Sequence, residues 1–384
     1  MSKSKINILT IIGARPQIIK AAALSRAIKN HYSDQIHEVI LHTGQHYDTN
    51  MSAIFFEEME IPTPDINLNV GSATHGKQTA LMIEGIEKVL LERNFDGVVL
   101  YGDTNSTLAG AVAASKLQVP IFHIEAGLRS FNKTMPEEIN RICTDHVSTL
   151  LFCPTEKAIQ NLLREGFELN NSPPYHINNP KIILSGDIMY DNTLFFGEIA
   201  DTKYTSVAGL PVKEMNYVLC TVHRNQNTDD VNNLTNILNA LLEIAKETSV
   251  IFPVHPRTAK KIETFMNKTW RLHLKTAQLY LIEPVSFLEM TLLEKYCQLI
   301  LTDSGGVQKE SYFWKKPCII LRPETEWIEL VQHGYAYVAN TDASKIIHLY
   351  HTLKNGLKKE YKPLYGDGKA AQHILSHIVE VMYN

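Results

Sequence analysis

Residues 297–310 read CQLILTDSGGVQKE. A short apolar run, Leu299–Leu301, meets Ser304, Gly305 and Gly306, and a helix-forming segment carrying Glu310 follows. Strand, turn and helix in that order make half of a βα unit. The two glycines let backbone approach a ligand closely, and the new helix N-terminus offers free N–H groups. Ser304 adds a hydroxyl. Glu310 falls about one and a half turns into the helix, where a carboxylate can accept two hydrogen bonds from a ribose diol. The same turn also reads as a plain corner capped by Asp303 or Ser304. Taken alone, both readings stand. The spacing is not GxGxxG, so the NAD fingerprint is absent.

The unit repeats along the chain. KINILTIIG reads as a first strand and PQIIKAAALSRAIKNH as a helix. HEVILHTG, GVVLYGD, VPIFHIE and TLLFCPT read as further strands, with a long amphipathic helix in GKQTALMIEGIEKVLLERN. After NNSPPYHINNP, rich in Pro and Asn, the pattern restarts with YVLCTVH, VIFPVHP, LYLIEPV, LILTDSGG and PCIILRP. Alternating β and α segments predict mostly parallel sheets, and 384 residues suit two domains better than one core. The expected fold class is α/β, in two Rossmann-like domains. The first spans residues 1–175 and the second 176–365, with a hinge near 170–185 and a final helix, 366–384, crossing back to the first domain. Two doubly wound halves place a ligand between them, facing the carboxyl ends of their strands.

Composition narrows the function. The net charge is -4, charged residues are 20% of the chain, and no broad basic stretch appears, which argues against a nucleic-acid partner. No apolar run approaches the roughly 20 residues a membrane span needs. Five cysteines, with no CxxC pair, argue against a disulfide framework or zinc site and fit a reducing cytoplasm. The N-terminal run reads as a strand, not a signal peptide.

Polar and charged residues gather at strand ends. Gly13, Arg15 and Lys20 lie where the first strand meets the first helix, and Pro16 suits a first helical turn. A glycine turn, a cation and a helix start suit a diphosphate. Arg15 and Lys20 also fit an ordinary solvated helix face. Asp103 and Glu125 close adjacent strands, and Glu137 and Glu138 open a helix, where acids suit the dipole. Clustered carboxylates raise one another's pKa, so one can hold a proton while another acts as base. In the second half, His223 and Arg224 follow one strand, and His255 and Arg257 another. Several such ends beside a glycine turn favour an anionic ligand.

Together, GARPQIIK, HTGQHYD, GDTNST, HIEAGLRS, MPEEINR, TVHRN, PVHPR and TDSGGVQKE resemble the non-hydrolysing UDP-N-acetylglucosamine 2-epimerases. These motifs keep the family's order and cover nearly the whole chain. The resemblance implies a GT-B-like fold, usually a homodimer, with the nucleotide in the cleft. It implies catalytic roles for Asp103, Glu125, Glu137 and His223. It puts Arg15 and Lys20 near the diphosphate, and Arg141, His255 and Arg257 among substrate contacts. Ser304, Gly305 and Gly306 match the phosphate turn, and Glu310 the acid on the ribose. The implied reaction inverts C2 by eliminating UDP to a glycal and adding it back, with no cofactor and no obligatory metal.

Gln226 stands where the family usually has Glu. Gln45 and His46 match a segment at which many relatives bind a second, activating UDP-sugar. GARPQ, GDTNSTLAG, DSGGVQKE and TEWIELV resemble a branch acting on UDP-2,3-diacetamido-2,3-dideoxy-glucuronate for surface polysaccharides. Arg129, Arg322 and Lys309 are the cations that would meet its 6-carboxylate, and each is also an ordinary surface type. A GT-B glycosyltransferase and a non-catalytic UDP-sugar sensor share the same UDP turn and stand as alternatives.

Overall fold

The computed structural model describes residues 4–44, 62–265 and 277–383. The chain divides into two compact units, residues 1–192 with 363–384, and 193–362.

The first unit is built on a seven-stranded sheet. Its strands are β1 (Ile6–Ile12), β2 (Ile36–His42), β3 (Ile66–Asn67), β4 (Gly97–Tyr101), β5 (Ile121–Ile124), β6 (Leu150–Cys153) and β7 (Lys181–Leu184). Their spatial order is β3-β2-β1-β4-β5-β6-β7, and every pairing is parallel. Strands buried on both faces need continuous apolar runs, and β4, β5 and β6 are buried throughout. The helices are α1 (Arg15–Ala27), α2 (His75–Glu92), α3 (Asn105–Lys116), α4 (Pro136–Asp145) and α5 (Glu156–Arg164). The core joins Leu9, Ile11, Val98 and Leu100 of the sheet to Met82 and Ile86 of α2.

The expected boundary at 175/176 puts residues 181–187, KIILSGD, in the second domain. Its strand instead pairs with β6, Leu150 opposite Lys181 through Cys153 opposite Leu184. The boundary accordingly falls between Asn192 and Thr193, within helix α6 (Ile188–Lys203), and the expected hinge at 170–185 lies inside the first unit. A four-residue apolar strand pairs equally well with either sheet, so composition alone does not assign it.

The second unit has six parallel strands: β8 (Tyr217–Thr221), β9 (Ser249–Pro253), β10 (Leu279–Ile282), β11 (Leu299–Thr302), β12 (Cys318–Ile320) and β13 (Ala336–Val338). Their order is β10-β9-β8-β11-β12-β13. Helices α7 (Val231–Ile244), α8 (Pro256–Phe265), α9 (Phe287–Tyr296), α10 (Gly305–Phe313) and α11 (Ala343–Leu353) belong to this unit, and the final helix α12 (Ala370–Tyr383) to the first. Helix starts follow their caps: Asp230 accepts from Asn233 N at 2.9 Å, and Ser286 and Glu289 form a capping box.

Both sheets have Rossmann strand order, and the fold is GT-B-like. In each, the order reverses between two central strands, β1 and β4 in one and β8 and β11 in the other. Connections leave in opposite directions there, which opens a crevice at the carboxyl ends. Among the described residues no helix is long and apolar enough to cross a membrane.

Candidate active site

In the first unit, α1 carries Arg15 and Lys20 just after β1, and Asp103 and Glu125 follow β4 and β5. Gly13 is required for packing: a Cβ there would run into Ser106 Oγ and Thr43 Oγ1. Its missing side chain therefore makes room for these two hydroxyls. The turn after it is set by Gln17, which is 2% exposed. Gln17 Oε1 accepts from Gly13 N at 2.9 Å and Ala14 N at 3.2 Å, while Nε2 donates to Tyr101 O and Thr107 Oγ1, each at 2.9 Å. One amide thus uses its full bonding capacity to tie the Arg15 turn to the end of β4, two residues before Asp103.

Lys20 pairs with Glu125, and their side chains are 15% and 8% exposed. Arg141 of α4 pairs with Asp103. Asn140 holds the same loop by donating to Asp103 O at 2.9 Å. Two of the clustered carboxylates expected from sequence, Asp103 and Glu125, are therefore each set against a cation, and Arg141 also reaches Glu138 at 3.1 Å. Glu137 remains exposed on the first turn of α4. Its neighbour Glu138 is buried, accepting from Ser130 N at 2.9 Å and Phe131 N at 2.8 Å. Burial works to raise the pKa of Glu138, but those two amides and Arg141 outweigh it and hold the carboxyl below its usual range.

Below these strand ends lies a polar network that sequence did not reveal. Asp145, fully buried at the end of α4, lies 2.6 Å from His123 Nδ1 and 2.7 Å from Arg129, and accepts from Gly127 N at 3.1 Å. Arg129 also forms a bidentate pair with Glu165, at 2.7 and 2.6 Å. His123 stands in the apolar strand IFHI, between Phe122 and Ile124. A histidine inside such a run needs buried partners, and that was the available signal.

In the second unit, Asp303 follows β11 and is fully buried. It does not cap α10, as the corner reading had it. It accepts from His223 N at 3.1 Å, Arg224 N at 3.0 Å and Asn227 Nδ2 at 3.0 Å, and lies 3.3 Å from the His223 ring. It thereby ties the β8 and β11 ends together and orients His223, whose side chain is 49% exposed. Ser304 precedes α10 without a side-chain cap bond. A Cβ at Gly305 would strike Glu326, whereas one at Gly306 would find only Ser304 Oγ at 3.9 Å and Glu310 Oε2 at 4.0 Å. Gly306 thus leaves open room beside Ser304 and Glu310. Trp327 pins the turn, its Nε1 donating to Gly305 O at 2.8 Å.

Glu310 shares a hydrogen bond with Glu294 of α9, a carboxyl only 3% exposed. Burial pushes both upward, Glu294 well above its usual value, and Glu294 donates the proton they hold between them. Arg257 is engaged with Asn225 at 2.7 Å and Asp229 at 2.5 Å, and His255 is exposed at the end of β9. Among the described residues, no cluster of His, Cys, Asp or Glu could hold a metal ion.

The family model for UDP-N-acetylglucosamine 2-epimerase matches residues 27–379. The chain belongs to that family. It is 48% identical to the UDP-2,3-diacetamido-2,3-dideoxy-D-glucuronate 2-epimerase of Pseudomonas aeruginosa, over 98% of this chain and 100% of that protein. It is 46% identical to a UDP-N-acetylglucosamine 2-epimerase homolog of Methanococcus maripaludis, over 99% of this chain and 100% of the other. Among solved structures, the UDP-GlcNAc 2-epimerase of Methanocaldococcus jannaschii superposes with a TM-score of 0.84 at 41% identity, covering 98% of this chain and 100% of that one.

Membership in the family gives the strand-end residues a shared context. Gln45 and His46 lie outside the described residues. The three cations proposed for a 6-carboxylate are all engaged: Arg129 with Asp145 and Glu165, Arg322 with Glu326 at 2.9 Å, and Lys309 over the Trp327 ring at 4.7 Å.

Proposed function

We propose that the chain inverts C2 of a UDP-N-acetylhexosamine by eliminating UDP and adding it back. The observation that carries this reading is the pair of strand ends in the first unit. Asp103 and Glu125 close neighbouring strands there, each on its own cation, in a member of this epimerase family. The C2 proton is poorly acidic, since C2 bears no carbonyl. A positioned carboxylate removes it while the C1–O bond to UDP breaks, leaving a glycal. UDP returns to C1 as C2 is protonated from the opposite face, so a second group must supply that proton. Asp103, Glu125 and Glu137 are the candidates for these two roles.

The leaving diphosphate gains negative charge in the transition state, which fixed donors stabilise. His223, Arg15, Lys20, Arg141, His255 and Arg257 are the candidate donors, with Ser304, Gly305 and Gly306 at the α10 N-terminus. The free space beside Gly306 supports phosphate approach, and Glu310 beside it suits the ribose diol. A bare glycosyltransferase site would need none of the paired carboxylates of the first unit.

Relatives acting on two different sugars are similarly close, at 48% and 44% identity, so both sugars are candidate substrates. The engaged state of Arg129, Arg322 and Lys309 removes the original support for a 6-carboxylate site. Incubation in D2O with UDP-GlcNAc and, separately, with the diacetamido uronate tests the reading. Deuterium at C2 with inversion is expected for one of them. A folded sample that binds UDP and exchanges neither sugar would refute it. We further infer a cytoplasmic homodimer supplying surface polysaccharide synthesis. Five free cysteines fit a reducing compartment, and light scattering reads the oligomeric state.

A further inference from the structure

Glu125 holds a backbone conformation that L-residues avoid, with φ of 70°. In the left-handed region the Cβ of a non-glycine residue crowds the following carbonyl oxygen. Such residues persist where the surroundings over-determine them, and they cluster at functional sites. The surroundings here are specific. Two residues before Glu125, His123 Nδ1 meets Asp145 Oδ1; two residues after it, Gly127 N donates to Asp145 Oδ2. Asn161 holds the same turn from outside, donating to Gly127 O at 3.0 Å. One carboxylate therefore grips the chain on both sides of Glu125.

The grip extends to the next strand. His123 Nε2 lies 2.8 Å from Gly102 O, and Gly102 N donates to Ile124 O at 3.0 Å. Gly102 immediately precedes Asp103. A carbonyl oxygen only accepts, so Nε2 carries a hydrogen. Asp145 also accepts from Gly127 N and faces the Arg129 guanidinium, which in turn meets Glu165. Burial works to raise the pKa of Asp145, and His123 and Arg129 outweigh it and hold the carboxyl below its usual range.

Stability alone does not explain this cluster. Buried ionic groups are commonly replaced by apolar residues without loss of stability. An apolar filler, however, has no directional bonds with which to set the Glu125 turn and the Gly102 peptide. We propose that Asp145 is a positioning residue for the reaction, acting through His123 and the Gly127 amide to hold the Glu125 turn and the peptide that precedes Asp103. It is fully buried and meets no substrate, so it acts through those two carboxylates. The inference rests on the reading that Asp103 and Glu125 take part in the chemistry.

The test compares variants of the full-length protein. Asp145→Ala cuts both grips and should lower kcat for C2 exchange about 100-fold, the scale on which a misplacement of about 1 Å acts. UDP affinity, measured by calorimetry, should stay within about twofold, because Asp145 touches none of the candidate diphosphate donors or the residues of the 304–310 turn. Asp145→Asn keeps an acceptor for Gly127 and an amide to pair with a neutral His123, and should recover kcat to within about fivefold of wild type. Glu165→Gln relieves Arg129 of its outer partner only and should leave kcat within about twofold. If Asp145→Ala does not fold, His123→Leu cuts the bridge from the other side and should show the same kcat-only loss. A folded Asp145→Ala or His123→Leu with wild-type kcat would overturn the proposal. So would parallel loss of kcat and UDP affinity, or an Asn variant no better than Ala. If wild type exchanges neither sugar, the proposed function fails separately. Crystal structures of the variants then decide this inference: Glu125 should leave the left-handed region, and an unchanged turn would refute it.

Discussion

Asp145 in the first unit and Asp303 in the second are both fully buried carboxylates beneath strand ends, and they are bound in contrasting ways. Asp145 is held by the Arg129 guanidinium, the His123 ring and one amide. Asp303 is held mainly by two backbone amides and the Asn227 side chain. The same contrast runs through the residues above them. In the first unit every candidate strand-end acid has a cation: Lys20 for Glu125 and Arg141 for Asp103. In the second, Glu294 and Glu310 share a proton, and amides and an open glycine line the turn. A unit that handles protons needs ionised acids at fixed places, which cations secure. A unit that holds a dianionic diphosphate gains from keeping its own negative charge low, which amides and a shared proton achieve.

The contrast breaks most sharply at the acids proposed to react. Asp103→Asn or Glu137→Gln should lower turnover by about a thousandfold, within the range of lost general acid–base catalysis. UDP affinity should change little by calorimetry, because neither acid is proposed as a contact of the diphosphate or the ribose. Equal loss of affinity would show that the division of labour is wrong. Asp303→Ala should do the converse. It leaves the His223 and Arg224 amides and Asn227 without their shared acceptor, which costs the second unit about 3 kcal/mol in urea unfolding. A loss under about 1 kcal/mol would mean that water replaces Asp303 easily.

Glu310→Ala should weaken UDP binding about tenfold, through lost ribose hydrogen bonds. The shared proton adds a pH signature. Because burial raises Glu294 and Glu310, the folded unit keeps a proton that the unfolded chain releases above the usual carboxyl range. Unfolding free energy therefore falls as pH rises from that range until the proton leaves the pair. Glu294→Gln preserves a donor to Glu310 and should flatten this dependence. An unaltered slope in the variant would show that the pair holds no titrating proton.

Much of this was legible in the sequence, and the failures have physical causes. Apolar strand runs and glycine turns identified two α/β halves because buried parallel strands tolerate few polar residues. Of the residues named at strand ends, Lys20 meets Glu125 and Arg141 meets Asp103, while His223 meets Asp303, just before the 304–310 turn. Partner choice was harder. By sequence Arg129 suits either a substrate carboxylate or the surface, and it is buried between Asp145 and Glu165. Nothing local distinguishes a guanidinium facing solvent from one facing an acid sixteen residues away. Gln17 and Glu294 were missed for the same reason: both lie on helices whose buried face is known only once the packing is known.

Asp191 sharpens the contrast at its weakest point. It is a further acid held chiefly by amides, accepting from Ala370 N and Ala371 N, each at 2.9 Å, and so capping α12 from a distant part of the first unit. If amides stabilised a buried carboxylate as well as cations do, it would titrate low, as Asp145 does. Burial instead pushes it up to about 6, with the neighbouring Asp187 charge adding to the rise and the amides failing to offset it. Folding therefore raises its pKa, so its contribution is greatest below about pH 4 and declines as pH rises to about 6, then levels off. Asp191→Ala should cost about 1 kcal/mol, the usual worth of a helix cap. It should also remove that decline between pH 4 and 6 from the unfolding free energy. A variant that loses stability equally at both pH values would mean that the cap acts with its charge unchanged, and that amides can hold a buried acid ionised after all.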